Sequence, residues 1–292
     1  MIRKIFKWTG IALLSVLSLL GIGYAVATFS INGRIRKNYA FAKESLEITS
    51  DSATLARGKH LVAIKGCQDC HGADLSGKIM IDDGAVGRLP ASNLTRGKGG
   101  LPDNYSTADW VTALRHGIDK TGRPLIFMPS HETTLLSAQD MAAIIAFCQT
   151  VPSVDHELPA IDLGPVAKVM GYLDKMPLLS VEKIDHAKAM VAEIDTAEGA
   201  VQGKYLAISC SGCHRADFKG GDPLAPGLPP VPDLSLSGNV GKWTKEQFIN
   251  TLRTGKTPSG HQMNSDDMPW KMTAQYEDKE LSSLYAFFQT IE

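Results

Sequence analysis

Two short cysteine motifs carry the most specific chemistry in this chain. They are Cys67–His71, with the sequence CQDCH, and Cys210–His214, with the sequence CSGCH. The C-x-x-C-H pattern is typical of covalent haem attachment, in which each thiol forms a thioether and the neighbouring His binds iron. The chain has only 5 Cys and 8 His in 292 residues, so two complete copies indicate a real signal.

Two other uses of paired cysteines fit less well. A zinc ribbon also contains two C-x-x-C pairs, but these usually lie about 15–20 residues apart, whereas Cys67 and Cys210 are separated by almost half of the chain. A thioredoxin-like redox pair needs a βαβ pattern beside it, and none is evident. The sequence therefore predicts two covalently attached haem groups, each containing iron.

The iron of such a group is often held by a second side chain on the face opposite the His, and Met is a common choice. Met128 follows His71 at nearly the same spacing as Met268 follows His214. Each Met precedes a Pro in an irregular stretch. We therefore predict Met128 and Met268 as the second ligands, because the competing Met263, His131 and His261 do not occupy the same register in both halves.

Helices flank both motifs in the predicted secondary structure. Local patterns of apolar residues, caps and stops predict helices over Ala53–Lys65, Ala108–His116 and Ala138–Thr150 in the first half. Ser52 or Thr54 would cap the first, Thr107 the second and Ser137 the third. Residues 72–106 are rich in Gly, Pro and Asp, which predicts a loop that wraps a cofactor.

The second half repeats the first. Cys67 recurs as Cys210, Met128 recurs as Met268, and the final run Ala146–Thr150 recurs as Ala286–Thr290, all at closely similar offsets. Such consistent offsets predict one fold used twice. In this register the remaining cysteine, Cys148, matches Phe288, which predicts a buried core position for it.

The N-terminal segment has the length and composition of a membrane-spanning helix. Trp8–Ile31 is a continuous apolar and uncharged run, long enough to cross the roughly 30 Å hydrocarbon layer as a helix. An uncleaved anchor is favoured, although Ala25–Ala27 also resembles a signal-peptidase site. Both alternatives place the bulk of the chain outside the cytoplasm, where haem attachment to such motifs occurs in bacteria.

Charge separates the N-terminal segment from the rest. Residues 1–37 contain six basic and no acidic residues, which leaves 24 basic and 31 acidic residues for the remainder. This acidic remainder excludes nucleic acid as the expected partner. It suits a basic partner surface, although a small charge excess also serves solubility.

These features together resemble membrane-anchored dihaem cytochromes c of class I. The resemblance covers about residues 52–152 and 196–292 and implies an all-α fold whose first and last helices cross, with Gly58 and Gly203 at the crossings against Phe147 and Phe287. It implies domains over 38–152 and 196–292, preceded by the N-terminal segment 1–37 and joined by the linker 153–195. The implied haem residues are Cys67, Cys70, His71, Met128, Cys210, Cys213, His214 and Met268, of which His71, Met128, His214 and Met268 bind iron.

We expect a dihaem electron carrier rather than a catalyst. The expected partners are redox proteins on the outer face of the cytoplasmic membrane, such as a dehydrogenase, a quinol-oxidising complex or a terminal oxidase. Two alternatives are a dihaem enzyme of the peroxidase or thiosulfate-oxidising type with one reactive iron, and a cytochrome subunit of a membrane dehydrogenase. If the N-terminal segment were cleaved, the protein would be soluble in the periplasm.

Overall fold

Helices account for most of the regular structure in the computed structural model, which describes residues 2–224 and 227–292. The helices are α1 (Ile2–Ile35), α2 (Ser52–Ile64), α3 (Cys67–His71), α4 (Thr107–Val111), α5 (Ser130–Thr133), α6 (Ala138–Thr150), α7 (Pro165–Tyr172), α8 (Ala200–Leu206), α9 (Ile208–His214), α10 (Lys245–Thr254), α11 (Trp270–Thr273) and α12 (Asp278–Phe288). A π-helical turn, Thr112–His116, continues α4, and short 3₁₀ turns lie at Ser180–Glu182 and Val240–Lys242.

The predicted helix crossings are present in both halves. A Cβ atom on Gly58 would lie 2.0 Å from the carbonyl oxygen of Ala143, and one on Gly203 would lie 1.9 Å from that of Ser283. Neither position tolerates a side chain, so α2 packs directly on α6 and α8 on α12. Phe147 and Phe287 lie beside these contacts as expected, and Cys148 is buried.

The helix starts differ slightly from those predicted. Asp51, not Ser52 or Thr54, caps α2 by accepting the backbone N–H groups of residues 53 and 54. Ser106, not Thr107, caps α4, in a reciprocal pair with Asp109. Ser137 caps α6 as predicted. Neighbouring Ser, Thr and Asp residues can all act as caps, so composition alone leaves the exact residue open.

A small sheet occupies part of the predicted loop. Strands β1 (Lys78–Asp83) and β2 (Gly87–Ala91) form an antiparallel hairpin, and β3 (Asp162–Leu163) from the linker pairs with β2. The prediction of unbroken loop over 72–106 was therefore wrong at this hairpin, while the protein as a whole remains helical. The Gly-rich ends and a register shift between Ile79 and Ile81 hide the alternating pattern that would have indicated strands.

The linker folds back onto the first half. Its helix α7 packs against the end of α1, and a separate core forms around Ile31, Leu163, Ala167 and Leu179. Helix α1 is the one helix of the described residues that is long and apolar enough to cross a membrane, with a mean hydropathy of 2.1 over its best 18-residue window. The end of this apolar helix is thus attached to the first half through the linker.

The two halves share one continuous hydrophobic core and a polar interface with approximate two-fold symmetry. Nε2 of His60 lies 2.8 Å from Glu280, and the hydroxyl of Tyr205 donates to Asp140 at 2.9 Å. These pairs are equivalent in the repeat, since His60 matches Tyr205 and Asp140 matches Glu280. Arg57 lies between them, bonded to Asp140 at 3.0 Å and 3.6 Å from Glu280.

Candidate haem sites

Each cysteine motif forms a helical turn that begins where the first crossing helix of its half ends. Gly66, with φ of 73°, separates α2 from α3, whereas α8 runs almost directly into α9 through Ala207. His71 and His214 are both buried at the ends of these turns. The motif turns are therefore held against the core by the helix crossings.

The two histidines have the same hydrogen bond. Nδ1 of His71 lies 2.7 Å from the carbonyl oxygen of Ser92, and Nδ1 of His214 lies 2.9 Å from that of Pro232. A carbonyl can only accept, so each Nδ1 carries the proton, and burial lowers the pKa of both imidazoles. In the described part of the chain no hydrogen bond occupies either Nε2, whose lone pair is therefore available to a metal.

A shared loop shape positions these carbonyl groups. Leu75 and Phe218 have left-handed φ angles of 60° and 59°, and their carbonyl oxygens accept the N–H groups of Leu94 and Leu234, each at 2.9 Å. These residues match in the repeat. A left-handed conformation is costly for a residue with a side chain, so its presence twice indicates that this loop shape is required.

The second half contains a cavity that brings its predicted site residues together. The cavity has a volume of about 550 Å³ and is lined by Cys210, Cys213, His214 and Met268, with mostly apolar side chains around them. That size is typical of a cofactor site. Met263 and His261 also line it, so the cavity alone leaves three candidates for the second ligand, and the repeat favours Met268.

In the first half, Met128 and Cys67 are half-buried and pack against the shared core. The carbonyl oxygen of Met128 accepts a hydrogen bond at 2.8 Å from Ser130, and that of Met268 accepts one from Trp270 at 2.6 Å. The two Met-Pro turns thus lead into α5 and α11 in the same way.

Trp110 supplies a further sign that the first half is shaped for a bound group. Its Nε1 is buried and has no hydrogen-bond partner among the described residues. A buried indole N–H normally finds an acceptor, and a haem propionate would supply one. Together with the cavity and the free Nε2 atoms, this orphaned donor shows that the residues present fit haem.

The four motif cysteines lie in partly buried turns. Burial raises the pKa of Cys67 and that of Cys210 to about 12 in the free thiols. The described residues contain no cluster of three or more His, Cys, Asp or Glu side chains arranged to hold a metal ion by themselves.

Sequence reasoning missed two contributors to the sites, the carbonyl groups of Ser92 and Pro232, and did not single out the unpartnered indole of Trp110. Ser92 and Pro232 are separated by the same offset as Met128 and Met268. The register of the repeat could therefore have identified them. Trp110 has no matching Trp in the second half and could be recognised only from its burial.

Comparisons with known proteins agree with this duplicated site. Residues 53–147 match the family model for cytochrome c oxidase, cbb3-type, subunit III, and residues 200–292 match that for cytochrome c. The fructose dehydrogenase cytochrome subunit of Gluconobacter japonicus is 23% identical over 259 residues, which cover 82% of this chain and 52% of the relative. The cytochrome c subunit of the alcohol dehydrogenase (quinone) of Gluconobacter oxydans (strain 621H) is 23% identical over 236 residues, which cover 71% and 48%.

The chain spans about half the length of these relatives. Each half nevertheless matches a cytochrome family model of its own, and each contains the same motif, the same histidine geometry and a Met-Pro turn. The chain is a dihaem c-type cytochrome, built from two cytochrome c domains that each carry one covalently bound haem.

Proposed function

We propose that this protein carries electrons between a membrane dehydrogenase and a further redox protein, using two irons that are each held by a His and a Met. Haem so ligated takes up and releases one electron without binding substrate at its iron. The residues assigned to the first site are Cys67, Cys70, His71 and Met128, and those assigned to the second are Cys210, Cys213, His214 and Met268.

The duplicated histidine geometry carries this proposal. His71 and His214 donate Nδ1–H to backbone carbonyls, which fixes both rings and leaves each Nε2 free to hold an iron. A Met lies at the same register in both halves, so both irons would have two protein ligands. A carrier needs such closed sites, whereas an enzyme needs one open position.

The domain boundaries belong to the same proposal. We assign residues 38–152 to the first domain, 153–195 to the linker and 196–292 to the second domain. The linker is packed on the first domain, since β3 pairs with β2 and Asn93 donates to the carbonyl of Val154 at 2.9 Å. It therefore acts as part of that domain's surface.

Helix α1 supports a membrane anchor rather than a cleaved signal. It runs without a break through the candidate cleavage site Ala25–Ala27, and Ala27 is only 2% exposed. Retention of residues 1–27 in the mature protein, measured by its intact mass, and resistance of the membrane-bound protein to alkaline extraction would test the anchor.

The partner class follows from the relatives. Both are named as cytochrome subunits of dehydrogenases, and the tether would hold the haem domains near such a membrane partner, which raises their effective concentration there. Co-purification of a dehydrogenase with this chain, followed by reduction of the haems on addition of that enzyme's substrate, would test this assignment.

The decisive experiment is a redox titration of the purified full-length protein, followed by its optical spectrum. We expect two low-spin haems, each with the weak Met–iron band in the oxidised form. Replacement of Met268 by Leu should remove the band from one haem, whereas the matched Met263→Leu variant should retain both. One high-spin haem in the unmodified protein would instead indicate an open site, and turnover of peroxide or thiosulfate would then be measured.

A further inference from the structure

Linker helix α7 has two faces of opposite environment. Ala167 and Gly171 are buried on its inner face. Val166, Tyr172 and Leu173 on its outer face are 45%, 42% and 55% exposed. Single exposed apolar residues are common on protein surfaces, but here they are grouped on one short helix and its last turn.

The inner face contacts the end of the membrane-spanning candidate. A Cβ atom on Gly171 would lie 3.3 Å from Cδ1 of Ile31, and Arg34 donates to the carbonyl of Gly171 at 3.4 Å. Arg34 also pairs with Glu182 and lies 3.6 Å from Asp174. The last turns of α1 and helix α7 are therefore a single packed unit.

The same turns of α1 have an apolar side that protein does not cover. Phe29 is 84% exposed and Val26 is 50% exposed, although Ala27 and Ile31 between and beside them are buried. Lipid would cover the exposed side chain of Phe29 if the hydrocarbon layer extends to this turn of α1. The surface of the bilayer then also reaches the level at which α7 packs.

The composition of α7 is typical of a helix at the interface between the hydrocarbon layer and water. Tyr residues are enriched where hydrocarbon meets water, and basic side chains flank the apolar face of helices that lie in this interface. Tyr172 lies at the end of α7, with Lys168 one turn before it and Lys175 just after it.

We propose that α7 lies in the outer interface of the bilayer that holds α1, with Val166, Tyr172 and Leu173 in contact with lipid. This inference rests on the proposed membrane anchoring. Helix α7 packs against the end of α1, beside the exposed Phe29, which is why lipid is assigned as the occupant of its outer face rather than a protein subunit.

The consequence concerns the first domain. The residues that follow α7 bond to the Met128 loop, because the N–H of Phe127 donates to the carbonyl of Leu178 at 2.8 Å. An α7 held at the bilayer therefore keeps the first domain next to the membrane. The second domain lies on the other side of the shared interface, and none of its described helices packs extensively on α1 or α7.

Photo-crosslinking tests the proposal on the full-length, haem-loaded protein. The protein is inserted into phosphatidylcholine vesicles that contain an analogue with a diazirine near the top of one acyl chain. After illumination, mass spectrometry locates the crosslinked peptides. We expect lipid adducts on residues 8–29 and on 166–173, many times more frequent than on the peptide around Val201, which is 69% exposed in the second domain.

A double variant, Val166→Ser with Leu173→Ser, should lose most adducts on α7 and keep those on α1, while Val201→Ser should change neither. Adducts on α1 without adducts on α7 would overturn this inference and leave the anchor intact. Adducts on neither helix would overturn the anchor as well. Adducts on α7 that disappear when a co-purified subunit is present would assign this face to protein and overturn the lipid contact.

Discussion

The two Met-Pro turns share their sequence and differ in their surroundings. The linker is hydrogen-bonded to the first turn, which contains Met128. Ser180 Oγ donates to the carbonyl of Met128 at 2.5 Å, Nδ1 of His131 lies 3.0 Å from the same hydroxyl, and Ile126 forms a β-bridge with Leu179. Residues 256–268 in the second domain make hydrogen bonds only within their own domain, among the residues described.

This difference shows that duplication preserved the histidine hydrogen bonds and the Met-Pro turns but not the contacts that surround these turns. A buried hydrogen bond contributes about 1 kcal/mol net, so several of them restrain the loop that carries Met128. The loop that carries Met268 makes no such hydrogen bonds to the linker among the described residues, and it borders a cavity. We expect the first domain to hold its Met more firmly than the second, and the four predictions below test the likeness and the difference.

The largest expected effect is on the free energy of unfolding, at the glycine helix crossings that the two domains share. Gly58→Ala and Gly203→Ala each place a Cβ about where a backbone carbonyl lies, and overpacking of this kind costs about 3 kcal/mol or more. Denaturant unfolding of the two variants should show similar losses. Gly84→Ala is the matched control, because nothing lies within 4 Å of a Cβ at that position. A large loss in only one of the two crossings would contradict their equivalence.

The second prediction concerns the difference in how firmly the two Met-Pro turns are held. Imidazole, added to the oxidised protein, should displace Met268 before Met128, at a concentration at least about tenfold lower, since about 1.4 kcal/mol of extra restraint corresponds to that factor. Loss of the Met–iron band in two separate phases would measure this. The band can be assigned to each haem in the Met268→Leu variant. A single phase would show that the linker does not restrain Met128.

The third prediction identifies the restraint itself. Ser180→Ala removes the hydroxyl that joins Met128 and His131, at a cost of about 1 kcal/mol. The imidazole concentration for the first domain should fall about fivefold, with the second unchanged. Ser259→Ala, in the exposed loop of the second domain, is the control. Equal shifts in both domains would indicate a general loss of stability instead.

The smallest expected effect is at Trp110. Trp110→Phe removes the buried N–H that has no protein partner among the described residues, and if that group bonds a propionate the potential of the first haem should change by about 20–60 mV, the equivalent of roughly 1 kcal/mol for one electron. The second potential should not move. Trp8→Phe, at an exposed position of the N-terminal segment, serves as the control. An unchanged first potential would remove the propionate contact from the assignment.

Much of the fold was predictable because it repeats. The resemblance to dihaem cytochromes c implied Phe147 and Phe287 at the crossings, and the local pattern gave α6 its bounds, Ala138–Thr150. Both signals lie in short stretches of sequence. The Met ligands and the domain boundaries remain predictions, since ligation is tested by spectroscopy of the haem-loaded protein.

What escaped prediction depends on residues far apart in the chain. His60 meets Glu280 across 220 positions, and Ser180 meets Met128 across 52. The sequence around His60 or Ser180 does not indicate which distant residue the side chain contacts. The β1–β2 hairpin was missed for a different reason, since glycines and a register irregularity interrupt its alternation.

The glycine crossings also govern when each domain can close during synthesis. The Gly58 contact cannot form until Ala143 has been synthesised, and the Gly203 contact cannot form until Ser283 has been synthesised. Each domain is therefore completed by its last helix. Contacts between such distant residues form late, since a long segment must first lose its freedom. Each C-x-x-C-H motif is therefore synthesised well before the helix that encloses it, and its thiols stay accessible for attachment during that interval.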